Sequence, residues 1–167
     1  MKSFTAPWGR CLVWASILSV LICCGVGGVG MVVMPVPPPP LSFVSLVVPV
    51  ALLATVLITA LYTIRGYTVT PEAILVHRLL WATRLPRERL VSAVSEPGAM
   101  KGSLRLCGNG GMFSFSGWFW NKRLGRYRAY VTDLNRTVVL RWEGRMAVVS
   151  PGDPEGFVRE LSSPRIA

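Results

Sequence analysis

The stretch from Trp118 to Arg128 carries the densest chemistry in the chain. Four cations, Lys122, Arg123, Arg126 and Arg128, stand among four aromatic rings, Trp118, Phe119, Trp120 and Tyr127, with no acid between them. Trp and Tyr favour a water–lipid boundary, and each Lys or Arg near an anionic surface contributes about 1 kcal/mol. Such a segment suits recognition of anionic lipid headgroups or an anionic partner, with Trp118, Trp120, Lys122, Arg123, Arg126 and Arg128 as candidate contacts. Its competing explanation is a solvated loop whose rings belong to the core. Arg84, Arg87 and Arg89 are candidates to extend the same face.

Catalytic readings are weaker. His77, Asp133 and Ser150 can be drawn as a triad, but no nucleophile elbow surrounds Ser150, which precedes Pro151 at a helix entry. Gly108-Asn109-Gly110-Gly111 invites comparison with a phosphate loop. A phosphate loop needs a following Gly-Lys-Ser/Thr and a helix, whereas strand-like Met112-Phe113-Ser114-Phe115 follows here. A tight turn or a bulge at positive φ explains the glycines better. Asp153 and Glu155 read as helix-start acids rather than a catalytic pair. With one histidine in the chain, acid–base machinery is sparse. The four cysteines, Cys11, Cys23, Cys24 and Cys107, form no CxxC and no zinc set with His77. The sequence therefore predicts no catalytic residue, no metal site and no cofactor.

The elements that hold the basic segment follow from periodicity. From Tyr67 onward, short β-type runs alternate with turn residues. Candidate strands are 67–70, 74–80 and 90–94, then the alternating stretches around 104–107, 113–116, 127–132, 138–143 and 146–149. Asp153, Pro154 and Glu155 form a helix start, with Phe157, Val158 and Leu161 at helical spacing behind them. The expectation is about seven antiparallel strands with one buried face, closed by a C-terminal helix.

The rest of the chain is of another kind. Of 167 residues, the first 64 hold only two charges, Lys2 and Arg10, while the remainder supplies all the acids and most of the net +10. A mean hydropathy of +0.48 is not that of an ordinary globular domain. Residues 11–34 and 41–64 are uncharged, and each has the length to span a hydrocarbon core of ~30 Å as a helix. Between them, 35–40 is proline-rich. Flanking cations at both outer ends predict a two-span inner-membrane hairpin with both termini cytoplasmic. On that reading 1–10 is a cytoplasmic tail, 35–40 an external turn and 65–167 a cytoplasmic domain. A cleaved signal peptide is the rival, but the first run is long for one and no A-x-A site closes it.

Both runs carry small residues at spacing four: Ala15, Ser19, Cys23 and Gly27 in the first, Ala51, Thr55 and Thr59 in the second. Such faces pack helices closely, within one hairpin or against a partner helix. Neither run contains Asp, Glu, Lys, Arg or His, which argues against a proton relay or ion path.

The order of these features resembles a known family. Two apolar runs precede a β-module that opens with Tyr67-Thr68-Val69-Thr70 and continues with Leu104-Arg105-Leu106-Cys107 and Phe113-Ser114-Phe115-Ser116-Gly117. It ends with Tyr127-Arg128-Ala129-Tyr130-Val131-Thr132-Asp133 and Val149-Ser150-Pro151-Gly152-Asp153-Pro154. This is similar to the bacterial pleckstrin-homology-like (PH-like) membrane proteins. The resemblance implies two roughly orthogonal antiparallel sheets with a C-terminal helix plugging one end. It carries over no catalytic residue, and its tie to phosphoinositide binding is an analogy of fold alone.

The resulting expectation is a non-catalytic, membrane-anchored binding or scaffolding module that contacts anionic lipid or a membrane-protein partner. A protein-interaction adaptor that assembles through its helices is the alternative. A tethered nucleic-acid binder is disfavoured, because basic and aromatic residues alone do not make a recognised binding motif.

Overall fold

The computed structural model describes residues 1–33 and 44–163. Strand β1 (Lys2–Thr5) precedes two helices, α1 (Arg10–Val33) and α2 (Val44–Leu61). Nine further strands follow: β2 (Ile64–Val69), β3 (Ala73–Arg78), β4 (Ala82–Pro86), β5 (Leu90–Ser95), β6 (Leu104–Gly110), β7 (Phe115–Asn121), β8 (Gly125–Val131), β9 (Val138–Trp142) and β10 (Arg145–Val149). Helix α3 (Pro154–Ser162) closes the described chain.

The strands form two sheets, ordered β1-β2-β3-β4 and β5-β9-β10-β8-β7-β6. Neighbours are antiparallel except β8 and β10, which run parallel. Period-2 alternation sends Ile74 and Val76 of β3 inward to meet Val138, Leu140 and Trp142 of β9. Helix α3 plugs this core with Phe157, whose ring meets Phe4 edge-on at 5.1 Å and lies 6.1 Å from Tyr67. Asp153 caps α3 by accepting from the Gly156 amide at 2.9 Å. The far face of the larger sheet buries a second cluster, in which Phe119, Tyr127, Val131, Val139 and Val148 lie beneath Ala99 and Met100.

The mainly-β plan with a C-terminal helix is the expected one, but ten strands stand where about seven were expected, β8 and β10 run parallel rather than antiparallel, and four further details differ. Ala82–Pro86 is an additional strand, β4, paired along β3. Phe113 belongs to a turn rather than a strand, at φ 63. The strand expected around 113–116 instead runs Phe115–Asn121, so Trp118 and Trp120 lie within β7. The first ten residues are not a free tail: Lys2–Thr5 adds an edge to β2 in the register Ser3↔Thr68 and Phe4↔Tyr67.

The two apolar runs form α1 and α2, which pack on each other, while 35–40 lies outside the described residues. Among the described residues no helix is long and apolar enough to cross a membrane. This overturns the expected placement as a multi-pass inner-membrane protein with both termini cytoplasmic. The start of α1 is occupied by the β-module: Leu12 is fully buried, and Ser16, also buried, bonds the Gly111 carbonyl at 3.3 Å. Beyond Ser19, α1 extends for roughly 21 Å at 1.5 Å per residue, short of the ~30 Å a bilayer core requires. Helix α2 has 18 residues, interrupted by Pro49, and its last turns also face the module.

Candidate anion-binding face

Strands β7 and β8 form a tight hairpin. Asn121 shapes its turn, its Oδ1 accepting from the amides of Arg123 at 3.1 Å and Leu124 at 2.7 Å. The register pairs Ser116 with Tyr130, Trp118 with Arg128 and Trp120 with Arg126. Alternation therefore collects these six side chains on one face, while Phe119, Tyr127, Ala129 and Val131 go to the second core.

Arginines and rings interleave along that face. The Arg126 guanidinium lies 4.5 Å from the Trp118 ring centre, and Arg128 lies 5.8 Å from Trp118 and 5.5 Å from Tyr130. Arg78 of β3 continues the series, 5.6 Å from Tyr130, 5.2 Å from Tyr62 and 6.0 Å from Trp81. Each such contact contributes about 0.5–1 kcal/mol where exposed, and together they hold the cationic heads in place.

Among the described residues no carboxylate pairs with Arg126, Arg128 or Arg78. The ion pairs among the described residues join Arg84 to Glu72, Arg123 to Glu96 and Arg136 to Asp133. Of the sequence-derived candidates, the fold brings together Trp118, Trp120, Arg126 and Arg128. Lys122 is exposed in the turn, and Arg123 is turned to Glu96. Arg84 and Arg87 do not extend the face. Arg84 pairs with Glu72, and Arg87 donates to the carbonyls of Glu160, Leu161 and Ser163 at the end of α3. Arg89 sits in a turn at φ 55.

The residues missed by the sequence are Arg78, Tyr62, Trp81 and Tyr130. Arg78 is 8% exposed and donates to the Tyr62 carbonyl at 2.9 Å, Ser116 Oγ at 3.1 Å and Thr83 Oγ1 at 3.3 Å. It thereby caps the chain leaving α2, where a cation also suits the helix dipole. Burial lowers its pKa from the usual arginine value, and the tyrosines around it pull the other way. Tyr130 is buried and its hydroxyl has no hydrogen-bond partner among the described residues. Burial raises its pKa, while Arg128 and Arg78 oppose the rise.

The residues drawn as a triad do not meet. His77 Nε2 bonds Thr68 Oγ1 at 2.9 Å, and Asp133 accepts from the Asn135 amide. Ser150 Oγ is fully buried and accepts from the amides of Thr132 and Asp133 at 2.8 and 3.2 Å. Gly108 and Gly117 face each other across β6 and β7 at positive φ, where a side chain on either would collide with the opposing backbone. Their role is close strand approach, not a phosphate cradle. Among the described residues no cluster of His, Cys, Asp or Glu is placed to hold a metal ion.

The small-residue faces are distributed unevenly. Ala15, Ser19, Thr55 and Thr59 line a space between the helices and the β6–β7 turn. Cys23 is half-buried and Ala51 exposed, while the surroundings of Gly27 lie outside the described side chains. The hydroxyls do not bond across the helices. Ser19 and Thr55 donate to Ala15 and Ala51 carbonyls of their own helices, at 2.7 and 2.8 Å.

No curated protein and no solved structure matches the chain. A family model described as Bacterial PH domain matches residues 65–164. That stretch runs from β2 through α3 and contains the arginine–aromatic face, so the chain belongs to the bacterial PH domain family, whose members are in general non-catalytic binding modules.

Proposed function

We propose that this protein is a non-catalytic binding module whose β7–β8 face docks on an anionic phospholipid surface. The observation that carries the reading is the interleaving of exposed Arg126 and Arg128 with Trp118 and Tyr130 on one face, with Arg78 buried behind them and, among the described residues, no acid paired to them. Headgroup phosphates supply the missing charge, and Trp118 and Trp120 supply rings suited to the interface.

The test is binding of the full chain to phosphatidylglycerol-containing vesicles and to pure phosphatidylcholine vesicles. Arg126→Gln with Arg128→Gln removes two cations worth about 1 kcal/mol each, so affinity for the anionic vesicles falls roughly 30-fold. Arg123→Gln changes it little, because Glu96 already pairs that charge. Binding is expected to weaken as salt rises from 0.05 to 0.5 M. Salt-insensitive binding, or equal affinity of the double variant, defeats the reading.

A second reading rests on β6. Among the described residues this strand pairs with β7 alone, and its Leu104 and Leu106 are 62% and 55% exposed. An open, apolar edge suits addition of a partner's strand. Chemical crosslinking from positions on β6 to one recurrent protein, with no vesicle preference, favours it over lipid.

A further inference from the structure

A cavity of about 530 Å³ opens where α1 and α2 meet the β6–β7 turn. Ala15 and Ser19 line it from α1, and Thr55, Ile58 and Thr59 from α2. Its size lies within the range of small-molecule sites. The serine and threonine hydroxyls of its helical wall are already engaged, while Tyr62 adds a ring. Ser19 donates to the Ala15 carbonyl at 2.7 Å, Thr55 to Ala51 at 2.8 Å and Thr59 to Thr55 at 2.8 Å. Asn109 is likewise occupied, tying down the turn through the Met112 amide and carbonyl. The wall thus offers mostly hydrocarbon and few free polar groups.

One ionic side chain lines the cavity, Arg105, and it is a cation. Its guanidinium makes a single long bond to the Gly108 carbonyl, 3.3 Å, and forms no ion pair among the described residues. Ser116, also in the lining, is held from behind by Arg78 at 3.1 Å. An apolar chamber with an uncompensated guanidinium at its exposed side calls for a ligand with a long apolar tail and an acidic head. A neutral lipid leaves Arg105 without a partner, and a compact anion leaves the chamber unfilled.

We propose that this cavity binds the acyl chain of a long-chain fatty acid, whose carboxylate pairs with Arg105. The site adjoins the Trp118–Arg128 face at Ser116 and Tyr62 but is lined by neither Arg126 nor Arg128, and it does not depend on the function proposed for that face.

The experiment uses the full chain, stripped of bound lipid and titrated with oleate, oleyl alcohol and lysophosphatidylglycerol. Saturable binding of one oleate per chain is expected. Arg105→Gln weakens oleate about tenfold and leaves oleyl alcohol unchanged. Ile58→Trp, at a position 56% exposed and so tolerant of a larger side chain, fills the chamber and weakens both ligands. Thermal melting verifies that both variants fold. Arg126→Gln with Arg128→Gln binds oleate as the unaltered chain does, so failure here and failure of the vesicle experiment are separable. No saturable oleate binding, equal oleate affinity in either cavity variant, or a lysophosphatidylglycerol affinity above that of oleate overturns the proposal.

Discussion

The Tyr67 hydroxyl donates to the main-chain carbonyl of Tyr130 at 2.7 Å, joining the smaller sheet to the larger through the middle of the core. The same oxygen accepts from the Ser150 amide at 3.2 Å. Burial pushes the Tyr67 pKa up to about 12 from 10.0, against the lowering effects of Ser150 and Arg78.

Tyr67→Phe leaves a buried carbonyl and a buried amide without their partner, at a cost of about 1–3 kcal/mol in denaturant unfolding. The pH dependence has a fixed sign. A phenol whose folded pKa is raised contributes stability that is complete below pH 10 and lost as pH climbs toward 12. The unaltered chain therefore loses stability across that window more steeply than Tyr67→Phe does, and paired denaturation curves at pH 8 and 11 measure the difference.

Arg78 tests the junction between α2 and the sheets. Its planar fork reaches three acceptors, on Tyr62, Thr83 and Ser116. Lysine keeps the charge but not the fork, so Arg78→Lys buries a cation with fewer partners and costs about 1–3 kcal/mol. Chemical denaturation reads this directly, and an unchanged midpoint shows that the fork is dispensable.

The first strand is part of the folded module. Phe4 is 8% exposed and packs on Phe157, so Phe4→Ala is expected to cost about 3–5 kcal/mol. A fragment starting at residue 66 loses β1 altogether and bares the edge of β2, and size-exclusion chromatography is expected to find it aggregated.

Asp153 supplies the N-cap of α3. Asp153→Ala costs about 1 kcal/mol and raises amide exchange in the first turn of the helix, whereas Asp153→Asn retains most of the cap.

The sequence made some of these elements plain and hid others for physical reasons. Val138–Trp142 and Arg145–Val149 are β-branched, alternating and separated by Gly144, so their hairpin was legible. So was α3, because Asp153 and Pro154 announce it. Lys2–Thr5 was not, since four residues ahead of a long apolar run carry no period and their partner strand lies far downstream. The apolar runs read as membrane spans because hydropathy is blind to what a helix packs on, and Leu12 and Ser16 face the β-module. The basic–aromatic segment was visible as composition, but its division was not. Only the hairpin register sends Arg126 and Arg128 to the open face, and only tertiary packing sends Arg123 to Glu96. Arg78 did leave a faint signal. It falls on the same parity as Ile74 and Val76, which places a cation on the buried side of a strand.

Strand β1 leaves the ribosome before the partner it needs. Ser3 and Thr68 stand 65 positions apart, and α1 and α2 are made in the interval. At ~5–20 residues per second this is a wait of roughly 3–13 s. Strand β1 is thus translated early and paired late, and its seam with β2 can close only once both helices have been synthesised and have looped the chain back on itself.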